Sequence, residues 1–222
     1  MSSDMEISVV PTCSLSSEHM DKLCELFNAN YRQANEAYLG KSCDTFRYVS
    51  LAEEQGELLG FTFGDSVRVS LPGFDDEQSL ALAGIGCVSP AARQQGLFVR
   101  LGTQAMQAGG AIEAGKPILF AGRMAHVVTY RTMLKMSDST IPSATKSINA
   151  WHQEVGVVVA AQLQSVIDPE TFVVRGSGCP VGYPRIAYDT TADEDALFAQ
   201  VNRDQGDSLL TMCWLPKAPV GW

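Results

Sequence analysis

At 222 residues and 23.9 kDa, the chain has room for one ordinary domain, with or without a small appendage, and not for two large ones. Its 25 acidic and 16 basic residues give a formal charge of −9. That excludes a non-specific nucleic-acid binder and strong attachment to an anionic membrane, since both rest on clustered Lys and Arg. With 18% charged and 45% hydrophobic residues the composition is that of a folded protein, not a disordered one.

Residues Glu6 to Val10 read as a short strand closed by Pro11, and Ser16 or Ser17 caps the helix that follows. Met20, Leu23, Cys24, Phe27 and Tyr31 recur at helical spacing and form its apolar face. A second short helix is expected over Tyr31 to Leu39, ended by Gly40. Phe46 to Leu51 and Leu58 to Phe63 are strands joined by the turn Glu54-Gln55-Gly56-Glu57. Asp65 to Ser79 reads as a polar loop on an extended hairpin. Leu80 to Val88 is a Gly- and Ala-rich strand ended by Pro90.

A helix is expected from about Arg93 to Gly109, then a strand over Lys116 to Ala121. Those two strands flank a crossover helix and should be parallel by the right-handed rule. Arg123 to Lys135 is helical. A further helix over Ser143 to Glu154 ends at Gly156, and the β-branched run Val157 to Leu163 reads as a central strand. Thr171 to Arg175 is a candidate strand, Gly176 to Pro184 a loop, Asp193 to Asn202 a capped helix, and Leu209 to Leu215 a final strand. The expected fold class is α/β, a three-layer α/β/α sandwich around a mixed, mostly antiparallel sheet. Residues 1–163 form the core. Residues 164–222 form an extension that completes the sheet or covers the acceptor side.

The six cysteines are scattered without zinc-site spacing, so no metal is expected and the thiols read as mostly buried and inert. No secretory leader or membrane span stands out, and the expectation is a cytoplasmic protein.

The stretch Gly84-Ile85-Gly86-Cys87-Val88-Ser89-Pro90-Ala91-Ala92-Arg93-Gln94-Gln95-Gly96-Leu97-Phe98 runs strand, proline, tight turn, helix. The first turn of a helix carries free N–H groups and a partial positive charge. Gly96 lets a bulky anion approach the backbone. The product is a pyrophosphate cradle built mostly from amides. It is neither the dinucleotide fingerprint nor a P-loop.

This string resembles the acetyl-CoA-binding core of the GCN5-related N-acetyltransferase (GNAT) superfamily, in which Val-x-Pro precedes Gln/Arg-x-x-Gly-x-Gly/Ala. Val88, Pro90, Arg93 and Gly96 fit, while Phe98 stands where a small residue is usual. The specific match covers residues 84–101 and the outline match about 6–163. The resemblance implies that the strands ending near Val88 and Ala121 splay apart. It also implies that backbone groups near Cys87 and Val88 pair with pantetheine, and that Arg93, Gln94, Gln95, Gly96, Leu97 and Phe98 surround the pyrophosphate. Acetyl-CoA is then the acyl donor, and an amine of a small molecule or peptide the acceptor.

Candidates for protonating the leaving thiolate are Tyr130 and His152. Asn149-Ala150-Trp151-His152 sits where the family carries its later helix. Glu77 is the candidate for taking the amine proton, against a plain loop carboxylate. A weaker alternative pairs His126 as base with Arg123 shaping an anionic acceptor. Cys87 is either a nucleophile or, on the better reading, a buried strand thiol. Longer acyl transfer, acyl-CoA decarboxylation and a non-catalytic binding protein on the same fold stay open, as does a homodimer.

Overall fold

The computed structural model describes residues 5–222. After β1 (Glu6–Pro11) comes α1 (Ser17–Asn30), whose N-terminus is closed by a reciprocal capping box between Ser16 and His19. A two-residue strand β2 (Tyr31–Arg32) leads to α2 (Glu36–Thr45). The expected helix over Tyr31 to Leu39 is thus displaced. Its cap is Asn35, whose side chain accepts from the Tyr38 amide, and it runs through Gly40 to Thr45.

Three antiparallel strands follow: β3 (Tyr48–Glu54), β4 (Glu57–Val69) and β5 (Gln78–Val88). Gln55 and Gly56 both have positive φ (53° and 83°), which gives the β3–β4 turn the twist of a two-residue hairpin. β4 extends through Asp65 to Val69, paired to the start of β5, so much of the expected polar loop is ladder.

The helix α3 (Leu97–Ala108) joins β5 to β6 (Ile118–Met124), and this pair is parallel as expected. Beyond it lie α4 (Val127–Met136), α5 (Ala150–Gln162), β7 (Val173–Val174), β8 (Tyr183–Pro184), α6 (Ala192–Phe198) and β9 (Ser208–Leu215). The main sheet has seven strands in the order β1-β3-β4-β5-β6-β9-β7, antiparallel except at β5–β6.

Alternation along β4 builds the layers. A Cβ on Gly60 would stand 3.1 Å from Leu101, and one on Gly64 3.1 Å from Ala105, so these positions face α3 at close range. The intervening Phe61 and Phe63 point to the other face. There Cys87, opposite Phe61, donates from its thiol to the Leu26 carbonyl of α1 at 3.5 Å. Helices therefore cover both faces, and the chain is an α/β/α sandwich with a mostly antiparallel sheet.

One expected strand is a helix. Val157 to Gln162 belong to α5, which runs through Gly156 rather than stopping there, and Leu163 is its C-cap. Asn149 caps it, with His152 closing the box. The glycine is needed inside the helix because the Phe172 ring lies 2.9 Å from where its Cβ would be. Packing against the sheet outweighs the β preference of the valines.

Candidate active site

The site begins where β5 leaves β6. The β5–β6 ladder ends at Ala83↔Gly122. On the other side of β5, Ala83 pairs with Gly64 and Gly86 with Thr62, so three steps of β5 match two of β4. The extra residue, at Gly84–Ile85, is a β-bulge, and a bulge bends its own strand. From here to Val88, β5 parts from β6.

Gly84, Ile85 and Gly86 line one wall of the resulting cleft, of about 120 Å³. Tyr31, Tyr38, Arg123, His126 and the α4 side chains Thr129 and Met133 line others, and Val181 and Gly182 from the loop before β8 also reach it. That loop is tied down by β8 pairing with β2, Tyr31↔Pro184 and Arg32↔Tyr183. Gly182 (φ 92°) lets it lie on Phe27 and Tyr31, where a Cβ would come within 2.9 Å and 3.3 Å.

Beyond β5, Pro90–Ala92 form a single 3-10 turn, and Gly96 is the N-cap of α3 with φ 71°. Gly96 has no side chain to cap with, so the first-turn amides of α3 lack an intrahelical partner. Nothing lies within 4 Å of where its Cβ would be, so the space in front of the turn is open. Gln94 also has positive φ (65°), which folds the turn tightly, and Gln94 and Gln95 are exposed.

Arg93 plays a different part from its expected one. Its Nε donates to the Val88 carbonyl at 3.0 Å and its Nη2 to Asn30 Oδ1 at 2.9 Å. It clamps the end of β5 to the end of α1. Leu97 is buried in a small cluster with Ala52, Val88, Ala92 and Leu101. The Phe98 ring lies over Gly86, whose Cβ would meet it at 2.8 Å, and it lines the cleft while staying 38% exposed. Cys87 faces α1, and burial pushes its thiol up to about 12, so it is protonated at neutral pH.

The three expected proton-transfer residues lie away from the cleft. Tyr130 is buried, with its hydroxyl on the Pro142 carbonyl at 3.2 Å and its ring against Phe198. His152 serves as a cap: its Nδ1 accepts from the Asn149 amide at 3.2 Å, and its ring meets Trp222 edge to face. Burial pushes its pKa below the usual histidine value. Glu77 is exposed just before β5. At ~3.3 Å per residue it is roughly 36 Å from Val88, at the far end of the strand.

What the cleft does hold is donors. The Tyr31 hydroxyl donates to the Gly86 carbonyl on the freed edge of β5, and burial raises its pKa far above the usual tyrosine value. Arg123 donates from Nη1 to Ser165 Oγ at 2.9 Å and from Nη2 to the Tyr38 hydroxyl, and it stacks over the Tyr38 ring. His126 is the N-cap of α4: its Nδ1 accepts from the Val128 amide at 3.2 Å. Its Nε2 is buried without a hydrogen-bond partner. Burial first, then Arg203 and Arg131, holds its pKa down to about 4, so the ring is neutral at neutral pH. A neutral ring that accepts at Nδ1 carries its proton on Nε2. His126 thus keeps a protonated, buried Nε2, while its Nδ1 is taken up as the cap of α4.

Arg123 and His126 were visible in sequence as a pair three residues apart. In the sequence Tyr31 reads only as part of an apolar helix face, and the fold brings its hydroxyl to the Gly86 carbonyl of β5.

No family model matches the chain, and no curated protein matches it. Among solved structures it is similar to the ribosomal-protein-S18-alanine N-acetyltransferase from Escherichia coli (9% identity, 98% of this chain and 99% of that one, TM-score 0.45). It is also similar to the aminoglycoside 6'-N-acetyltransferase AAC(6')-IG from Acinetobacter haemolyticus (17% identity, 58% and 88%, TM-score 0.42). A third is the aminoglycoside N-acetyltransferase AAC(6')-Iy in complex with CoA (13% identity, 60% and 87%, TM-score 0.41). The bulge in β5, the parting of β5 from β6 after Ala83 and the glycine N-cap of α3 together open one edge of the sheet onto a helix N-terminus.

Proposed function

We propose that the chain is a CoA-dependent N-acyltransferase that moves an acetyl group from acetyl-CoA to an amine by direct transfer. The observation that carries this reading is the strand splay ending at an uncapped helix with open space over Gly96. The residues present fit the donor. The α3 first-turn amides hold the pyrophosphate, and the parted edge of β5 runs alongside the pantetheine arm. The thioester then reaches the cleft beside Tyr31 and His126.

In the transfer, the amine nitrogen bonds to the thioester carbonyl carbon and the C–S bond breaks. The nitrogen loses a proton and the CoA sulfur gains one. The Nε2–H of His126 is an unspent donor for the carbonyl oxygen as it gains charge. The Tyr31 hydroxyl is the proton source for the sulfur, and it recovers its proton from the one the amine releases. Among the described residues no Asp or Glu lines the cleft. The amine therefore enters neutral, which a largely apolar cleft favours. Holding both substrates in one cleft supplies much of the rate.

Calorimetric titration with acetyl-CoA and free CoA, on the native chain and on Gly96→Trp, tests the reading. Binding should weaken at least tenfold in the variant, about 1.4 kcal/mol. The new ring would stand in open space, so the loss would not come from a clash within the protein. If the native chain binds neither ligand, the acyltransferase reading falls.

A further inference from the structure

The cleft contains a half-buried cation with no counter-ion. Among the described residues no carboxylate pairs with Arg123. Its recorded partners are two hydroxyls, Ser165 and Tyr38. A guanidinium has five N–H groups, so three remain to be satisfied. Three residues on, His126 lines the same cleft, and its Nε2–H is buried with no hydrogen-bond partner among the described residues. The remaining polar lining is hydroxyl, from Tyr31, Tyr38, Thr129 and Thr132. Phe46, Phe120, Met124, Met133 and Met136 make up much of the rest.

A half-buried guanidinium without a counter-ion is open to pairing with a ligand anion, and a buried donor without an acceptor costs ~1–3 kcal/mol. Both are relieved by one ligand group: a planar anion with two acceptor oxygens. Arginine matches a carboxylate in a two-pronged way, where lysine offers only a point charge. The site stands out the more in a chain of net charge −9.

We infer that Arg123, with the Nε2–H of His126 beside it, forms a carboxylate-binding site inside the cleft. The cleft of about 120 Å³ is narrow, which suits a short chain ending in a carboxylate. The carboxylate has two candidate sources. One is the donor, a dicarboxylic acyl thioester whose far end reaches Arg123. The other is the acceptor, a small amine that carries a carboxylate. The donor source rests on the acyl-CoA reading above; the carboxylate site itself does not.

Two matched pairs separate these sources by calorimetry: succinyl-CoA against butyryl-CoA, and 4-aminobutyrate against propylamine. Each is run on the native chain, Arg123→Gln and Arg123→Lys, with circular dichroism to establish folding. The native chain should bind the carboxylate-bearing member of one pair at least tenfold more tightly. Preference in the first pair assigns the carboxylate to the donor, and in the second to the acceptor. Arg123→Gln should erase the preference and Arg123→Lys keep part of it. If no CoA thioester binds but 4-aminobutyrate does, in an Arg123-dependent way, the acyl-CoA reading falls and the carboxylate site stands. Equal binding within both pairs on the native chain, or a preference that survives in folded Arg123→Gln, overturns the inference. The native-chain comparison decides the matter even if a variant does not fold.

Discussion

The amide of Val128 donates to Nδ1 of His126 at 3.2 Å, and that bond places the proton of the neutral ring on Nε2. One helix cap thereby fixes the tautomer of a histidine that lines the cleft. The same bond ties the start of α4 to the chemistry of the site.

A pH dependence follows from it. The pKa of His126 is about 4 in the folded chain against 6.5 when exposed, because burial disfavours the cation. Between those values the unfolded chain binds a proton that the folded one refuses, so stability is full above pH 6.5 and falls as pH drops toward 4. At ~1.4 kcal/mol per pH unit the loss is on the order of 3 kcal/mol. His126→Asn keeps an acceptor for the Val128 amide and removes the titration. Urea unfolding at pH 7 and pH 4 should show the native chain losing about 3 kcal/mol more than the variant. Equal losses would mean that the ring is protonated in the fold.

Tyr31→Phe tests the proton source. The variant loses the bond to the Gly86 carbonyl but keeps the ring that packs at 4.5 Å from the Phe27 ring. Its kcat should drop about 100-fold, within the usual range for a lost acid–base group, while CoA affinity changes by less than threefold. A matching drop in affinity would instead mark Tyr31 as a wall of the binding slot.

Gly109 measures how tightly the end of α3 sits on β4. A Cβ there would lie 2.2 Å from the Ser66 nitrogen and 2.7 Å from its carbonyl oxygen. These are backbone atoms of a paired strand and have little room to yield. Gly109→Ala should cost roughly 3 kcal/mol in denaturant unfolding, against the ~1 kcal/mol that alanine gains over glycine in an unhindered helix. A neutral or stabilising result would show that the helix end lifts off without cost.

Gly156 poses the same contest inside α5. Alanine would gain ~1 kcal/mol in helix propensity but press its Cβ into the Phe172 ring at 2.9 Å. Overpacking of this kind costs ~1–3 kcal/mol, so Gly156→Ala should be net destabilising by about 1 kcal/mol. Adding Phe172→Leu to Gly156→Ala should recover stability relative to Gly156→Ala alone. Absence of that coupling in a double-mutant cycle would remove packing as the reason for the glycine.

The part of this fold written in local signals was legible. The crossover β5–α3–β6, the hairpin turn at Gln55-Gly56 and the caps at Ser16 and near Asp193 each have their own short-range chemistry. The true cap of the last is Thr191. What local chemistry does not state is which element a run of valines will pack against. Val157 to Val159 favour a strand, yet Asn149 and His152 cap a helix upstream and Phe172 seats Gly156 within it. The Tyr31 stretch misleads in a similar way. Its apolar face continues α1, but the residues that follow pair with β8, some 150 positions away. The candidate site divides along the same line. Gly96 and the α3 amides belong to one short segment, whereas the meeting of Tyr31 and Tyr38 with Arg123 is a long-range event. His152 and Glu77 look suitable by spacing along the chain, but His152 is taken up as the cap of α5 and the length of β5 separates Glu77 from Val88.

The strand order has a consequence for how the molecule is made. β6 is held on one side by β5 and on the other by β9, which is translated about 80 residues later. At ~5–20 residues per second, the ribosome leaves the outer edge of β6 bare for roughly 4–16 s. That edge carries Arg123 and is the neighbour of the cleft. A nascent chain stalled before residue 208 would present it as an open template for any passing strand, which makes late synthesis the period when this protein most needs a chaperone.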